Sequence, residues 1–143
     1  MNKIKVSNSL NSNVYKDGLE IRTTVFVGEQ NVPQELEIAD EDNRTYTTLY
    51  VNEQPAATAR YFPTADNGLH IQRVAVLKEF RHKGLASELL DKIAIDAKIQ
   101  KFDYLVLGAQ DQANGFYQSL GYKVIGDQYE EAGILHHDMR KDL

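Results

Sequence analysis

The chain has 143 residues, 42% of them hydrophobic, which suits one domain around one core. Its formal net charge of -5 argues against nucleic acid as a partner, because that binding needs a broad basic face. There is no cysteine, which excludes disulfides, thiolate metal sites and any acyl-cysteine intermediate.

The start, MNKIKVSNSL, carries lysines but no apolar stretch of the signal-peptide kind. No run approaches the roughly 18 apolar residues of a membrane span, so a cytoplasmic protein without a membrane partner is expected. IKVSN reads as a short strand. A helix is predicted from Tyr15 to Val27, with Leu19, Val25 and Phe26 on its apolar side, and Pro33 stops any helix running through EQNV. QELEIADEDN is acidic and reads partly as loop. RTYTTLYV, AATARYF and LHIQRVAVL are then three strands joined by turns at Asn52–Pro55 and at PTADNG, an antiparallel meander.

The clearest helix follows Lys83. Leu85, Leu89, Ile93 and Ala97 recur every four residues, and Ala86, Leu90 and Ala94 widen that stripe. YLVL is a buried strand that the helix joins to the third meander strand by a right-handed crossover. DQANGFYQSL is a short helix with Gly121 placed as its left-handed C-terminal cap. YKVI and ILHHDM complete the order β-α-βββ-α-β-α-ββ, a single α+β domain over residues 1–143.

The junction EFRHKGLASELL, Glu79 to Leu90, places Arg81, Lys83 and Gly84 where a strand gives way to a helix. The first N–H groups of a helix lack intrahelical partners, and the helix dipole adds positive potential there. Gly84 and the small Ala86 let an anion approach the main chain, so the stretch reads as a diphosphate cradle. It is neither a Walker loop nor a dinucleotide fingerprint, since G-x-x-x-x-G-K-[ST] and G-x-G-x-x-G are both absent.

Arg81-His82-Lys83-Gly84-Leu85-Ala86 resembles [R/Q]-x-x-G-x-[G/A], the pyrophosphate motif of the GNAT (GCN5-related N-acetyltransferase) superfamily. Ala113-Asn114-Gly115-Phe116-Tyr117 followed by Leu120-Gly121-Tyr122 resembles that family's A-x-x-F-Y and G-[FY] segment. VFVGEQNVP and EAGILHHDM are similar to the small bacterial ElaA-like or YjcF-like branch. The resemblance implies a mixed sheet of about six to seven strands flanked by helices and splayed between the fourth and fifth strands. It implies acetyl-CoA as cosubstrate, with no metal, and an amine-bearing acceptor. Main-chain groups of Val74, Ala75 and Val76 would hold the pantetheine arm, and Arg81 with the amides of His82, Lys83, Gly84, Leu85, Ala86 and Ser87 would hold the pyrophosphate. Gln110 stands where the family commonly has Asn, and Asn114 is a second polar candidate nearby. A homodimer is common in such proteins.

Direct attack of a neutral amine on the thioester fits a chain without cysteine. Tyr117 matches the family tyrosine near the coenzyme sulfur and is the expected general acid. His70 and Glu29 are the candidates for the general base; His136 and His137, adjacent on a strand, point to opposite faces, and one of them could reach the cleft. The run Glu35, Glu37, Asp40, Glu41 and Asp42 could attract a cationic acceptor. Arg22, Arg60 and Arg73 would instead suit one bearing a carboxylate. The alternative to an enzyme is a coenzyme-A-binding module without catalysis.

Overall fold

A computed structural model describes residues 2–34 and 41–143. In chain order the elements are β1 (Asn2–Ser7), α1 (Asn13–Arg22), a π-helical segment (Thr23–Glu29), β2 (Thr45–Val51), β3 (Gln54–Pro63), β4 (Gly68–Val76), a 3-10 turn (Lys78–Phe80) and α2 (Leu85–Ile99). Then come β5 (Tyr104–Gln110), a second 3-10 turn (Asp111–Ala113), α3 (Asn114–Ser119), β6 (Lys123–Glu131) and β7 (Ile134–Asp142). The strands form one mixed sheet of seven, in the order β1-β2-β3-β4-β5-β7-β6. This is the expected α+β order. No helix among the described residues is long and apolar enough to cross a membrane. Glu35, Glu37 and Asp40 of the acidic run lie outside the described residues.

The first helix differs from its prediction at both ends. It begins at Asn13 because the Ser12 hydroxyl accepts from the Tyr15 amide at 3.1 Å, an N-cap that the apolar pattern does not show. Beyond Arg22 the coil widens into a π-helix, with Gln30 N–H donating to the Val25 carbonyl at 3.1 Å.

Two compact units divide the chain. The first takes residues up to Phe62 together with Arg73–Lys92. In it, β1 and β2 pair antiparallel from Asn2↔Val51 to Ser7↔Tyr46, and β2 pairs antiparallel with β3. Ile21 and Val25 pack on Ala75, with Phe26 and Leu77 around them. Helix α1 lies close on the sheet at Gly18, where an added Cβ would stand 2.6 Å from Thr58 Oγ1.

This unit also buries charge. Arg22 and Arg60 are 1% and 2% exposed. Both meet the Glu41 carboxylate: Arg22 Nη1 and Nη2 each at 3.0 Å, Arg60 Nη1 at 3.5 Å. The Tyr46 hydroxyl lies against Glu41 Oε2 at 3.0 Å, and burial together with that carboxylate pushes Tyr46 up to about 12. Burial pulls the Glu41 carboxyl upward, but the hydrogen bond and charge of Arg22, with hydrogen bonds from Tyr46 and Tyr15, outweigh it and hold it below the usual range.

The second unit takes Pro63–Gln72 and Ile93–Leu143. Here β4 runs parallel to β5 from Gly68↔Tyr104 to Ile71↔Leu107, and the pairing stops there although both strands continue. That is the expected parting of the fourth and fifth strands. β7 pairs antiparallel with β5 and with β6. Gly68 is required by packing, since a Cβ there would stand 2.2 Å from the Tyr104 ring. Just past the last paired position, Arg73 takes a φ of 58°. The burial alternation still carries through it: Leu69, Ile71 and Ala75 are buried, and His70, Gln72, Val74 and Val76 are half-buried.

Removing the charge of Glu41 leaves two buried guanidiniums short of their shared carboxylate. Glu41→Gln is expected to cost about 2–4 kcal/mol in chemical denaturation. A carboxyl held low in the folded state stabilises fully above the unfolded value and loses that contribution as pH falls through the folded one. Below about pH 4 the wild-type melting temperature should therefore drop more steeply than that of E41Q.

Candidate active site

The first unit carries the end of β4, the loop and the start of α2. Ala75 is buried, and Val74 and Val76 are half-buried. The 3-10 turn delivers Arg81 in an extended conformation, φ -72° and ψ 161°. His82 and Gly84 then take left-handed φ values of 63° and 73° on either side of Lys83. Helix α2 starts at once, and its first ladder bond runs from Glu88 N–H to the Gly84 carbonyl at 3.1 Å. The amides of Leu85, Ala86 and Ser87 thus belong to the first helical turn, which lacks acceptors one turn back. A Cβ on Gly84 would meet nothing within 4 Å, so the space over the loop is open and the backbone angle is what calls for glycine there.

Arg81 fixes the loop through its side chain. Its Nε donates to the Val76 carbonyl and its Nη2 to Glu29 Oε2, both at 2.9 Å. The cationic residue of the loop is thereby tied to the last residue of β4 and to the last residue of the π-helical segment. Glu29, a sequence candidate for the base, holds this position. Arg22 and Arg60, candidates for meeting an acceptor carboxylate, are buried against Glu41.

The second unit carries the other candidates. Tyr117 is 8% exposed and packs edge-on against Phe116 and Tyr122, with ring centroids 5.1 and 5.6 Å away. Burial pushes its phenol up to about 12, so it keeps its proton at neutral pH. Gly121, φ 96°, closes α3: its amide donates to the Gln118 carbonyl at 3.0 Å and Tyr122 N–H to the Tyr117 carbonyl at 3.1 Å. Asn114 Oδ1, at the head of the same helix, is buried and no group among the described residues donates to it. Gln110 Oε1 accepts from Gln112 Nε2 at 2.9 Å, and Gln110 pairs with His136 across the strands. His70, opposite Val106, lies in the paired part of β4.

The adjacent histidines separate as the strand pleat requires. His136 is buried, stacks on Tyr129 with centroids 5.6 Å apart, and places Nδ1 2.7 Å from the Ile134 carbonyl. His137 places Nδ1 2.7 Å from Asp111 Oδ1, and Gln128 Nε2 donates to Asp111 Oδ2 at 2.5 Å. Sequence reasoning passed over Asp111 as a partner, although it stands directly after the last residue of β5. Its carboxyl is held below the usual range by the hydrogen bonds from Gln128 and His137. Among the described residues no three of His, Asp and Glu are gathered as metal ligands.

A mixed sheet whose fourth and fifth strands part, with a glycine loop opening the following helix, is the architecture of the N-acetyltransferase class. Residues 12–143 match the model of the acetyltransferase (GNAT) domain, and the chain belongs to that family. It is 36% identical over 137 residues to the uncharacterised N-acetyltransferase YjcF of Bacillus subtilis (strain 168), covering 92% of this chain and 95% of that one. It is 33% identical over 131 residues to the protein ElaA of Escherichia coli (strain K12), covering 87% and 85%. The crystal structure of E. coli ElaA superposes with a TM-score of 0.84 at 28% identity, covering 99% of each chain. That of a proposed N-acetyltransferase from Lactobacillus plantarum gives 0.90 at 29% identity, covering 99% and 98%. Two more distant acetyltransferases share the fold, each 17% identical with TM-scores of 0.70 and 0.69, and their structures hold acetyl-CoA and CoA.

Because Arg81 joins β4 to the π-helical segment at the surface, cutting it should loosen the loop more than the fold. In Arg81→Ala, amide exchange over Lys83–Ala86 is expected to quicken by roughly tenfold, with under about 1 kcal/mol of global stability lost. Exchange followed by mass spectrometry, beside a thermal melt, reads both.

Proposed function

We propose that the protein transfers the acetyl group of acetyl-CoA directly to a primary amine, with residues 1–143 acting as one cytoplasmic domain. The observation that carries this reading is the loop from Arg81 to Ser87. Two left-handed residues aim it into open space at a helix start, and one arginine is pinned beside it. Such a helix start suits a diphosphate. The unmatched Asn114 Oδ1 fits an amide N–H of the pantetheine arm, and Val74, Ala75 and Val76 would pair with that arm as a strand does.

The acetyl donor supplies an activated carbonyl, and the chain supplies orientation and protons. Tyr117 is the group proposed to meet the leaving sulfur. With its phenol near 12 and a thiol near 8.5, full proton transfer at that step would be uphill by about 5 kcal/mol. Its role is therefore to donate a hydrogen bond to the developing thiolate from a buried ring, where such a bond counts for more than in water. Glu29 spends one carboxylate oxygen on Arg81 and His70 lies where β4 is still paired, so we assign the base to neither.

Tyr117→Phe should lower kcat by roughly ten- to a thousandfold while leaving the Kd for acetyl-CoA within about twofold. Gly84→Val should weaken acetyl-CoA binding by at least about tenfold, because φ near 73° strains a β-branched residue and its side chain enters the open space. Thiol release from acetyl-CoA with spermidine, glucosamine, lysine and a lysine peptide, beside calorimetry, measures both. Tight binding with no release for any amine would indicate the non-catalytic module instead.

A further inference from the structure

We propose that His137, oriented by Asp111, is the base that takes the proton from the acceptor amine; this rests on the acetyltransferase reading above. Nothing in the pyrophosphate or A-x-x-F-Y motifs contains either residue.

The geometry within the second unit points to this pair. Asp111 Oδ1 lies 2.7 Å from His137 Nδ1, so an N–H at Nδ1 donating to the carboxylate leaves Nε2 as the nitrogen with a lone pair. Gln128 holds the other carboxylate oxygen at 2.5 Å, which fixes the plane of Asp111 and therefore the aim of the imidazole. Those two hydrogen bonds hold the Asp111 carboxyl below the usual range, which keeps it an acceptor for the Nδ1–H. Both side chains are reachable, at 23% and 30% exposure. His136, at 8% exposure with its Nδ1 on a main-chain carbonyl, is less suited to meet a substrate.

Placement supports the same role. Asp111 follows the carboxyl end of β5, and ligands of open sheets gather beyond such ends. The 3-10 turn that Asp111 opens runs straight into α3, which carries Tyr117, so the orienting carboxylate and the tyrosine proposed to meet the sulfur sit on one short segment.

The step balances. His137 Nε2 takes one proton from the acceptor ammonium. The freed lone pair forms the C–N bond to the acetyl carbon, and the C–S bond breaks with its electron pair on sulfur. The amide nitrogen loses its second proton to the thiolate by way of solvent, and His137 returns its proton to solvent.

The test uses the full chain with acetyl-CoA and whichever of spermidine, glucosamine, lysine or a lysine peptide turns over. His137→Ala should lower kcat by roughly a hundredfold with KM for acetyl-CoA within about twofold, and added imidazole should restore activity saturably. Asp111→Asn, which keeps the shape of the side chain, should lower kcat by roughly tenfold. Its KM for acetyl-CoA should stay within about twofold, a split between kcat and KM that a merely structural loss would not show. A kcat for H137A within threefold of wild type, or a loss that imidazole does not rescue, would overturn the assignment while leaving the enzyme reading intact. So would a loss in D111N that falls on KM for acetyl-CoA and leaves kcat unchanged. Failure of the wild type to bind acetyl-CoA or to turn over any of the amines would overturn both.

Discussion

A helix cannot pair its first amides one turn back, and the loop before α2 turns that constraint into a binding surface. Two left-handed φ values, at His82 and Gly84, complete the reversal in the four residues Arg81–Gly84. One of the two belongs to a residue with a side chain, and such a conformation costs on the order of 1 kcal/mol. What holds it in place is Arg81, whose guanidinium bonds to the Val76 carbonyl on one side and to Glu29 on the other. The open space over Gly84 and the dipole of a helix of 15 residues then make the loop a natural seat for a diphosphate.

Elsewhere in the same unit, charge is spent on structure. A carboxylate shared by two buried arginines is a poor source of net stability but a severe penalty on any other arrangement. The bonds of Glu41 to Arg22 and Arg60 tie the chain at that point to α1 and β3. Part of the acidic run is therefore internal scaffolding and is not free to recruit a cationic acceptor.

The parts of the fold set by local pattern were readable from the residues. The four-residue apolar stripe of α2, the turns around the meander and the glycine closing α3 all follow from side-chain period or backbone angle, and each is found where expected. The π-helical continuation of α1 was not readable, because an apolar period cannot tell a ladder that reaches back four residues from one that reaches back five. The left-handed Arg73 was hidden for a related reason: nothing in the residue type announces φ above zero, although the burial alternation of β4 carries through it. At the candidate site, motif residues were legible because they are contiguous. The Asp111–His137 and Glu29–Arg81 pairs were not, since each joins residues brought together only by the folded chain.

Two halves of the proposed chemistry thus have separate origins: an anion seat made by backbone geometry, and a proton-handling segment made by side chains around the end of β5. The first is the premise of the second. The most direct measurement is amide hydrogen exchange across His82–Ser87 with and without saturating acetyl-CoA. Exchange at Leu85, Ala86 and Ser87 should slow by at least about tenfold when acetyl-CoA is present, because its phosphates would accept from those N–H groups. Equal exchange in both samples, at a concentration where calorimetry shows acetyl-CoA bound, would contradict the account.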